Sequence, residues 1–275
     1  MDADSRPWRC LVYRSLSSTP SAELCFLSMS PNLQFVFANP PVCLPVEAGK
    51  DVTDFAAALT EAVVTHNTLE LADGTFFLGE ARLGSKLFIR PCYKELSELV
   101  LDGATTGTFK DIVVTGTPGI GKSVFGLYLL YLLRCQGKTV VFEMKVEWYR
   151  FSDAGVEKGG LREFIAAGYL RDDSNDWYLS DPQDRPFERF SGTTVVLVSP
   201  KRRRTHEFLK NGGTQCFMPV WGEDELLECR LALFPLIPSA VVKEAFLVVG
   251  GVARAVFSGK EMELHKREMK IAARK

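Results

Sequence analysis

The chain has 275 residues, of which 46% are apolar and 24% are charged, and its formal net charge is −1. This balance is typical of an ordinary globular domain and excludes a chain that is disordered throughout. No segment approaches the ~20 apolar residues that a membrane-spanning helix requires. The first residues also lack the basic-then-apolar pattern of a signal peptide, so we expect an intracellular protein without a membrane partner.

The seven cysteines and three histidines do not predict a metal site or a disulfide framework. The cysteines are scattered, and no two of them have the C-x-x-C spacing of zinc or redox sites. The histidines lie far apart in the sequence. We therefore interpret the cysteines as reduced, mostly buried thiols.

Residues 1–85 are predicted to form a small α+β region of unknown role. Short apolar runs between prolines and glycines predict strands at Glu23–Met29, Gln34–Ala38 and Thr75–Gly79. Between them, Asp51–Thr65 has alanine, leucine and valine at helical spacing and is predicted to be a helix.

From residue 86 onward, strands and helices alternate. Residues 86–100 are predicted to be a strand that leads into an amphipathic helix, and Leu101–Lys110 a polar, glycine-rich connection. Strands are then predicted at Asp111–Thr115, Lys138–Met144, Asp176–Ser180, Thr193–Ser199 and Cys216–Val220, and helices at Lys122–Leu133, Gly160–Leu170, 223–233 and 238–247. Such alternation predicts an α/β, three-layer fold with a central parallel sheet.

The segment from Gly116 to Ser123 matches the G-x-x-x-x-G-K-[ST] pattern of a phosphate-binding loop at every fixed position. An apolar strand precedes it and an apolar helix follows, as the pattern requires. The predicted loop residues are Gly116, Thr117, Pro118, Gly119, Ile120, Gly121, Lys122 and Ser123. Glycines allow the backbone amides to wrap a phosphate, Lys122 is expected to reach the β- and γ-phosphates, and the Ser123 hydroxyl to bind Mg²⁺. The loop therefore predicts ATP, or another nucleoside triphosphate, with Mg²⁺ as ligands.

A second Mg²⁺ anchor is expected at the tip of another strand, and Asp181 is the best candidate. The alternative is that Asp181–Asp184 forms only a turn, because Asp-Pro favours turn initiation. The residue after Asp181 is Pro182, where many ATPases of this class have a glutamate that orients the attacking water. Asp184 and Glu188 are the available substitutes.

Two further polar groups are predicted to face the γ-phosphate. Ser199 ends the strand Thr193–Ser199 and fits the place of a phosphate sensor, and one of the basic residues 201–204 could neutralise phosphate charge. The alternatives for 201–204 are a solvated turn or a nucleic-acid or nuclear-import patch. Arg254, after Gly250 and Gly251, is either a lid arginine that reaches the nucleotide or an ordinary residue at a helix start.

Taken together, these segments resemble the P-loop NTPase module of the Crinkler effectors of oomycetes and the retrotransposon hot spot proteins of trypanosomes. The resemblance covers roughly residues 86–258. It rests on Phe88–Tyr93, Val114–Phe125, Tyr128–Leu130, Trp177–Asp181, Val198–Pro200, Met218–Trp221 with Glu225–Leu227, and Gly250–Arg254.

The resemblance implies an ATPase of the AAA-like or STAND-like kind, with roles for Lys122, Ser123, Asp181 and Arg254. From the residue pattern and this resemblance together we expect three ranges: a small α+β region at 1–85, an NTPase core at 86–236, and a helical lid with a charged C-terminal helix at 237–275. Relatives pair this module with a DNA-binding segment and a nuclease-like domain, and some act in a host nucleus. Because no Leu-Phe-Leu-Ala-Lys translocation segment is present and relatives continue beyond Lys275, we do not expect nuclease activity or secretion from this chain itself.

The sequence thus predicts Mg²⁺-dependent ATP binding with slow hydrolysis. One alternative is a nucleotide-gated interaction protein that binds ATP without useful turnover, with a protein partner or a second copy of itself. Another is a DNA-associated ATPase, supported only by residues 201–204 and the basic tail at 260–275. A small-molecule kinase is a further alternative, although no acceptor-site motif is visible.

Overall fold

The computed structural model describes residues 13–14, 43–169, 176–182, 190, 192–200, 208–210 and 212–258. The strands predicted at Glu23–Met29 and Gln34–Ala38 lie outside these residues.

Most of the described strands belong to one large mixed sheet. Its members are β1 (Tyr13–Arg14), β2 (Val46–Glu47), β6 (Asp111–Thr115), β7 (Val140–Lys145), β8 (Glu147–Ser152), β9 (Gly155–Gly159), β10 (Trp177–Pro182), β11 (Thr193–Val198) and β12 (Thr214–Phe217). Across the sheet, the strand order is β1-β12-β6-β11-β10-β7-β8-β9-β2. The five strands from β12 to β7 are parallel, as the alternation of strands and helices predicts.

The antiparallel part of the large sheet was not predicted. Strands β8 and β9 continue the sheet beyond β7 as a hairpin. Their sequence mixes aromatic and charged residues because one face is only partly covered, and the cross-strand pair Arg150–Glu157 joins them at 2.9 Å. Such a pattern gives a weaker strand signal than the nearly continuous apolar runs of the buried parallel strands.

A second, antiparallel sheet contains β3 (Val63–Thr65), β4 (Thr68–Glu70) and β5 (Lys86–Phe88). In this region of the chain, the structure corrects two expectations. Helix α1 spans only Lys50–Thr60, because the β-branched residues after it pair with β4. The predicted strand Thr75–Gly79 is instead a 3-10 helix at Phe77–Gly79, followed by another at Ala81–Leu83, since Leu78 and Gly79 have positive φ.

The described helices surround the large sheet. Besides α1, they include α2 (Pro91–Thr105), α3 (Lys122–Cys135), α4 (Leu161–Ala166), α5 (Glu223–Leu233), α6 (Ser239–Val249) and α7 (Ala253–Ser258). Helix α3 packs on one face of the parallel strands, whereas Phe164 of α4 packs with Val141 and Tyr178 on the other. This confirms the predicted α/β arrangement of layers around a central parallel sheet. Helix α2 runs into the stretch that was predicted as a polar connection from Leu101, because Leu101 and Ala104 pack against the core.

One apolar cluster includes Phe55, Leu129 and Val256, so it draws on all three of the ranges suggested by the sequence. Phe55 on α1 contacts Phe77 and Phe151 edge-on, with ring centroids 5.9 and 6.0 Å apart. The boundaries near residues 85 and 236 stay a prediction.

Candidate functional site

The glycine-rich loop lies between the buried strand β6 and the start of α3. Strand β6 ends at Thr115, and α3 begins at Lys122 with Gly121 as the residue before it. Gly121 has φ 103°, and a Cβ atom there would lie 2.3 Å from the Tyr93 hydroxyl. Any other residue would be strained and would collide with that tyrosine, so the helix can begin directly at the loop only with glycine at this position.

Lys122 is folded back onto the loop. Its Nζ donates hydrogen bonds to the carbonyl oxygens of Gly116 at 2.7 Å and Thr117 at 2.9 Å. The pKa of Lys122 is lowered to about 8, mainly by burial; the charge of Asp181 acts in the opposite direction, and the positive charge of Arg254 contributes to the lowering. A buried ammonium group that has no anionic hydrogen-bond partner among the described residues suits a site for an anion.

Asp181 lies inside strand β10, which extends to Pro182, so it stands near the end of a strand as expected for a metal anchor. Residues 183 and 184 of the alternative turn lie outside the described residues. Burial raises the pKa of the Asp181 carboxyl group, while a hydrogen bond from the Ser123 hydroxyl and the charge of Lys122 act to lower it. The predicted metal-binding pair is therefore in contact, although the two residues lie 58 positions apart in the sequence.

A polar cavity of about 320 Å³ opens beside the loop. It is lined by Pro118, Gly119, Lys122, Ser123, Asp181, Pro182, Leu197, Val198, Ser199 and Arg254. Ser199 reaches it because β11 lies between β6 and β10 in the sheet, so the carboxyl ends of all three strands meet at one edge. The structure thus places Lys122, Asp181, Ser199 and Arg254, four of the polar groups that the sequence predicted for catalysis, at one cavity.

The other loop residues are placed differently. Gly116 and Thr117 contribute the carbonyl oxygens that accept from Lys122. Ile120 is fully buried, so its side chain belongs to the hydrophobic core rather than to the cavity. The side chain of Arg254 lies at the cavity, and its backbone N–H donates to the Gly119 carbonyl oxygen at 3.1 Å.

A second, apolar cavity of about 360 Å³ lies on the other side of the loop and was not predicted. It shares Gly119, Ser123 and Arg254 with the polar cavity. The remaining lining residues are Phe77, Leu83, Lys86, Leu87, Phe88, Tyr93, Gly121, Val124, Leu127, Trp221, Cys229, Leu233, Phe234, Ala253 and Phe257. These residues come from distant parts of the chain, and no local sequence pattern marks them as one surface.

Sequence reasoning also missed the side chains that touch the loop from outside. Arg90 donates to the Ile120 carbonyl oxygen at 3.1 Å, and Trp221 Nε1 donates to the same oxygen at 2.8 Å. The Tyr93 hydroxyl donates to the Gly121 carbonyl oxygen at 2.7 Å. Arg90, Tyr93 and Trp221 belong to the motifs that carry the family resemblance, but those motifs alone assign them no role.

A buried acid lies behind the predicted metal anchor and was not singled out either. Glu143 on β7 is fully buried, and its Oε2 accepts hydrogen bonds from Tyr178 at 2.5 Å and from Ser180 at 2.6 Å. Glu143 is the register partner of Ser180, whereas Asp181 pairs with Met144. Alternation along the strand therefore directs Glu143 and Asp181 to opposite faces of the sheet, and Glu143 is not a lining residue of either cavity.

Several predicted features lie outside the described residues. These are the substitute acids Asp184 and Glu188, the basic run 201–204 and the tail 260–275. Within the described part of the chain, no group of three or more metal-binding side chains is present. In the same part, every helix is too short or too polar to cross a membrane.

The fold and the site define the class: an α/β protein in which a G-x-x-x-x-G-K-S loop joins a buried parallel strand to a helix. In sequence, the chain is similar to "Crinkler effector protein 15" of Phytophthora infestans, with 30% identity over 193 residues, 65% of this chain and 29% of the relative. It is also similar to "Crinkler effector protein 16" of the same organism, with 31% identity over 186 residues, 62% of this chain and 28% of the relative. The resemblance to Crinkler effectors is thereby confirmed, and the chain spans less than a third of the length of these relatives.

Two further comparisons add less. No protein-family model matches the chain. Among solved structures, the Thermotoga maritima RuvB Holliday junction branch migration motor is similar at 13% identity, with a TM-score of 0.34, over 63% of this chain and 69% of that one.

Proposed function

We propose that this chain is a Mg²⁺-dependent ATP-binding module that hydrolyses ATP slowly. The observation that carries the proposal is the convergence of Lys122, Ser123, Asp181, Ser199 and Arg254 on one polar cavity beside the glycine-rich loop. These residues come from four separate segments of the chain, and each was predicted from its own local pattern. A chance match to the loop pattern gives no reason for the other groups to gather there.

The polar cavity suits a triphosphate group. The N-terminus of α3 carries a partial positive charge from its free N–H groups, and Lys122 and Arg254 add two full charges. On binding, the Lys122 ammonium exchanges the Gly116 and Thr117 carbonyl oxygens for phosphate oxygens. Charge spreads over the γ-phosphate oxygens as water attacks, and the lysine and the loop amides stabilise that charge.

The residues at the cavity also fit a magnesium ion. The Ser123 hydroxyl and the Asp181 carboxylate are hard oxygen donors that already lie in hydrogen-bond contact. These two residues would hold the ion together with phosphate oxygens and water, and the ion would supply positive charge to the β- and γ-phosphates. Burial raises the pKa of the Asp181 carboxyl group more than Ser123 and Lys122 lower it, so a bound cation would stabilise its charged form.

The apolar cavity suits the nucleoside. It adjoins the loop at Gly119 and Ser123, so a base placed there remains connected to phosphates in the polar cavity. Its walls include Phe88, Phe234 and Phe257, and the last two stack with ring centroids 4.5 Å apart. Aromatic faces of this kind bind purine rings by stacking.

We expect slow turnover because the described lining of the polar cavity offers no second carboxylate that could act as the base for the attacking water. Among the described residues that line the polar cavity, Asp181 is the only acid, and Pro182 occupies the next position. A carboxylate committed to the metal is a poor base for the attacking water. The same observation favours the second candidate function, a nucleotide-gated interaction protein in which ATP positions α7 through Arg254 without useful turnover.

The biological role of the longer protein is a further proposal. The names of the similar proteins support the proposal that this chain is a module within a longer effector protein.

Measuring Mg-ATP affinity and steady-state phosphate release on the purified chain tests this function. We expect Lys122→Ala to weaken ATP binding by about 100-fold, because a charge-assisted contact to phosphate is lost in a buried site. Lys110→Ala is the matched control, since Lys110 is exposed and directly precedes β6, the strand that leads into the glycine-rich loop. Equal ATP affinity in wild type and Lys122→Ala would overturn the proposal, and binding without phosphate release would select the gated-protein alternative.

A further inference from the structure

The outer surface of the glycine-rich loop is held by side chains from three distant motifs. A loop that binds phosphate with its N–H groups must direct its carbonyl oxygens elsewhere. In this protein those carbonyls have specific donors: Lys122 for Gly116 and Thr117, and the Arg254 backbone for Gly119. The Ile120 carbonyl accepts hydrogen bonds from Arg90 and Trp221. The Gly121 carbonyl accepts from the Tyr93 hydroxyl and also from the Phe125 N–H at 2.9 Å, the first hydrogen bond of α3.

Arg90 is the centre of this arrangement. Only 1% of the side chain is exposed, and all five of its N–H donors are used. The acceptors are both carboxylate oxygens of Glu225 and the carbonyl oxygens of Ile120, Pro219 and Val220. The guanidinium also stacks on the Trp221 ring, with its Cζ 4.3 Å from the ring centroid.

Such a site is built for arginine rather than for any cation. The planar fork binds the carboxylate with two parallel hydrogen bonds, while the remaining donors reach three backbone carbonyls. Burial lowers the pKa of Arg90, but the hydrogen bonds with Glu225 and the electrostatic effects of its neighbours together raise it above its ordinary value, so the group stays charged. Lysine has three donors and no fork, and it cannot reproduce this set of contacts.

Tyr93 and Trp221 complete the contacts to the loop. Burial raises the pKa of the Tyr93 hydroxyl far above its usual range, so it remains a hydrogen-bond donor to Gly121. Trp221 links the loop to the turn before α7, because its backbone N–H donates to the Gly251 carbonyl oxygen at 2.9 Å. A Cβ atom at Gly251 would lie 2.1 Å from the Trp221 carbonyl oxygen, so only glycine allows this close contact.

We propose that Arg90, Tyr93 and Trp221 are positioning residues that hold the Ile120 and Gly121 carbonyls outward, so that the loop N–H groups are oriented for a phosphate before it binds. The proposal deepens the proposed function, since it assigns the orientation of the phosphate site to three residues that do not touch the phosphate. It also explains why motifs at residues 88–93, 218–221 and 250–254 accompany the loop. Each motif contains at least one N–H or O–H group that donates a hydrogen bond to a loop carbonyl oxygen.

The decisive variant is Tyr93→Phe, which removes one hydroxyl and keeps the ring that lines the apolar cavity. We expect ATP affinity to fall about five- to tenfold, as for the loss of a buried hydrogen bond, while adenosine affinity changes less than about twofold. Adenosine has no phosphates, so it reports the apolar cavity alone. The matched control is Tyr128→Phe, because Tyr128 is also buried and stacks on Tyr93 at 6.3 Å, but its hydroxyl interacts with Ser97 instead of the loop.

A second measurement does not depend on nucleotide binding. In the nucleotide-free protein, ¹⁵N relaxation of the Gly119 and Gly121 amides reports the rigidity of the loop on the ps–ns timescale. We expect their order parameters to fall in Tyr93→Phe and to remain at the wild-type value in Tyr128→Phe. Arg90→Lys should lower them further and weaken ATP binding about 30-fold; where this variant does not fold, Tyr93→Phe decides.

Two results would overturn the positioning role. One is unchanged loop order parameters in Tyr93→Phe, and the other is an equal loss of affinity for ATP and adenosine, which would indicate general loosening of the fold. If wild type binds no ATP, the proposed function fails, and the relaxation measurement alone then decides whether these residues hold the loop.

Discussion

The two cavities beside the glycine-rich loop are built in opposite ways. The polar cavity collects charged and hydroxyl groups at the ends of parallel strands and at a helix start. The apolar cavity is formed by large side chains from the small antiparallel sheet, α2, α3, α5 and α7. Only Gly119, Ser123 and Arg254 belong to both. The comparison suggests that one end of a ligand is recognised by charge and the other by shape, with the loop between them.

The largest expected effect concerns the polar cavity and uses Asp181→Asn. We expect phosphate release to fall about 100-fold, because the amide is a much weaker metal ligand than the carboxylate. The same substitution should raise the free energy of unfolding at pH 7 by about 1 kcal/mol, since it removes a buried charge whose carboxyl pKa is raised in the folded state. The gain should disappear well below the ordinary pKa of aspartate, where the carboxyl group is neutral in both states.

Steady-state phosphate release by Asp181→Asn checks the loss of turnover. Urea denaturation of the same variant at pH 7 and at pH 3 checks the gain in the free energy of unfolding and its disappearance in acid. Asp54→Asn is the control for a substitution at an exposed aspartate, half of whose side chain is open to solvent. Loss of stability together with loss of turnover in Asp181→Asn would show that this aspartate is structural, and it would remove the functional contrast between the two cavities.

A smaller effect is expected in the apolar cavity, with Phe234→Ala. Because Phe234 stacks on Phe257 at the cavity wall, its removal should weaken ATP and adenosine binding equally, by about tenfold. Affinity for inorganic triphosphate, which has no base, should not change. Isothermal titration with the three ligands makes the comparison, with Leu236→Ala as a control because Leu236 is 96% exposed and not a lining residue of either cavity. A tenfold loss for inorganic triphosphate would assign Phe234 to the phosphate end instead.

The smallest effect is a pH dependence that belongs to the polar cavity alone. The pKa of Lys122 is about 8 without a ligand, and a bound triphosphate should raise it. Binding is then strongest below pH 8 and weakens as the free lysine loses its proton, so ATP affinity should fall about fourfold between pH 7 and pH 8.5. Adenosine affinity should stay constant over this range. If ATP affinity did not change between pH 7 and pH 8.5, Lys122 would not be the group that binds the phosphates.

The polar cavity could be predicted largely from the sequence. The loop pattern depends on residues that are adjacent in the chain, and strand ends can be recognised where an apolar run stops, as at Asp181 and Ser199. Once a parallel sheet is inferred, these ends must meet at one edge. The contact between Ser123 and Asp181 follows from strand order rather than from any local signal, but the alternation of strands and helices makes it an expected one.

The apolar cavity and the donors behind the loop could not be predicted in the same way. Phe77, Phe88 and Phe257 each fit an ordinary core position, and nothing local distinguishes a residue that lines a cavity from one that fills a core. Arg90 illustrates the same limit: before Pro91 it fits the start of a helix, and only the folded chain brings Glu225 and the Ile120 carbonyl to its five donors.

The sequence by itself therefore determined the α/β class, the loop and the polar groups that serve it, because each depends on local spacing or on the tip of a strand. The tertiary structure decided which side of the loop is apolar and how the loop carbonyls are held. Those features arise from contacts between residues far apart in the chain, from 28 positions for Tyr93 with Gly121 to 135 positions for Arg90 with Glu225. Their complementarity exists only after the β-strands and helices have packed.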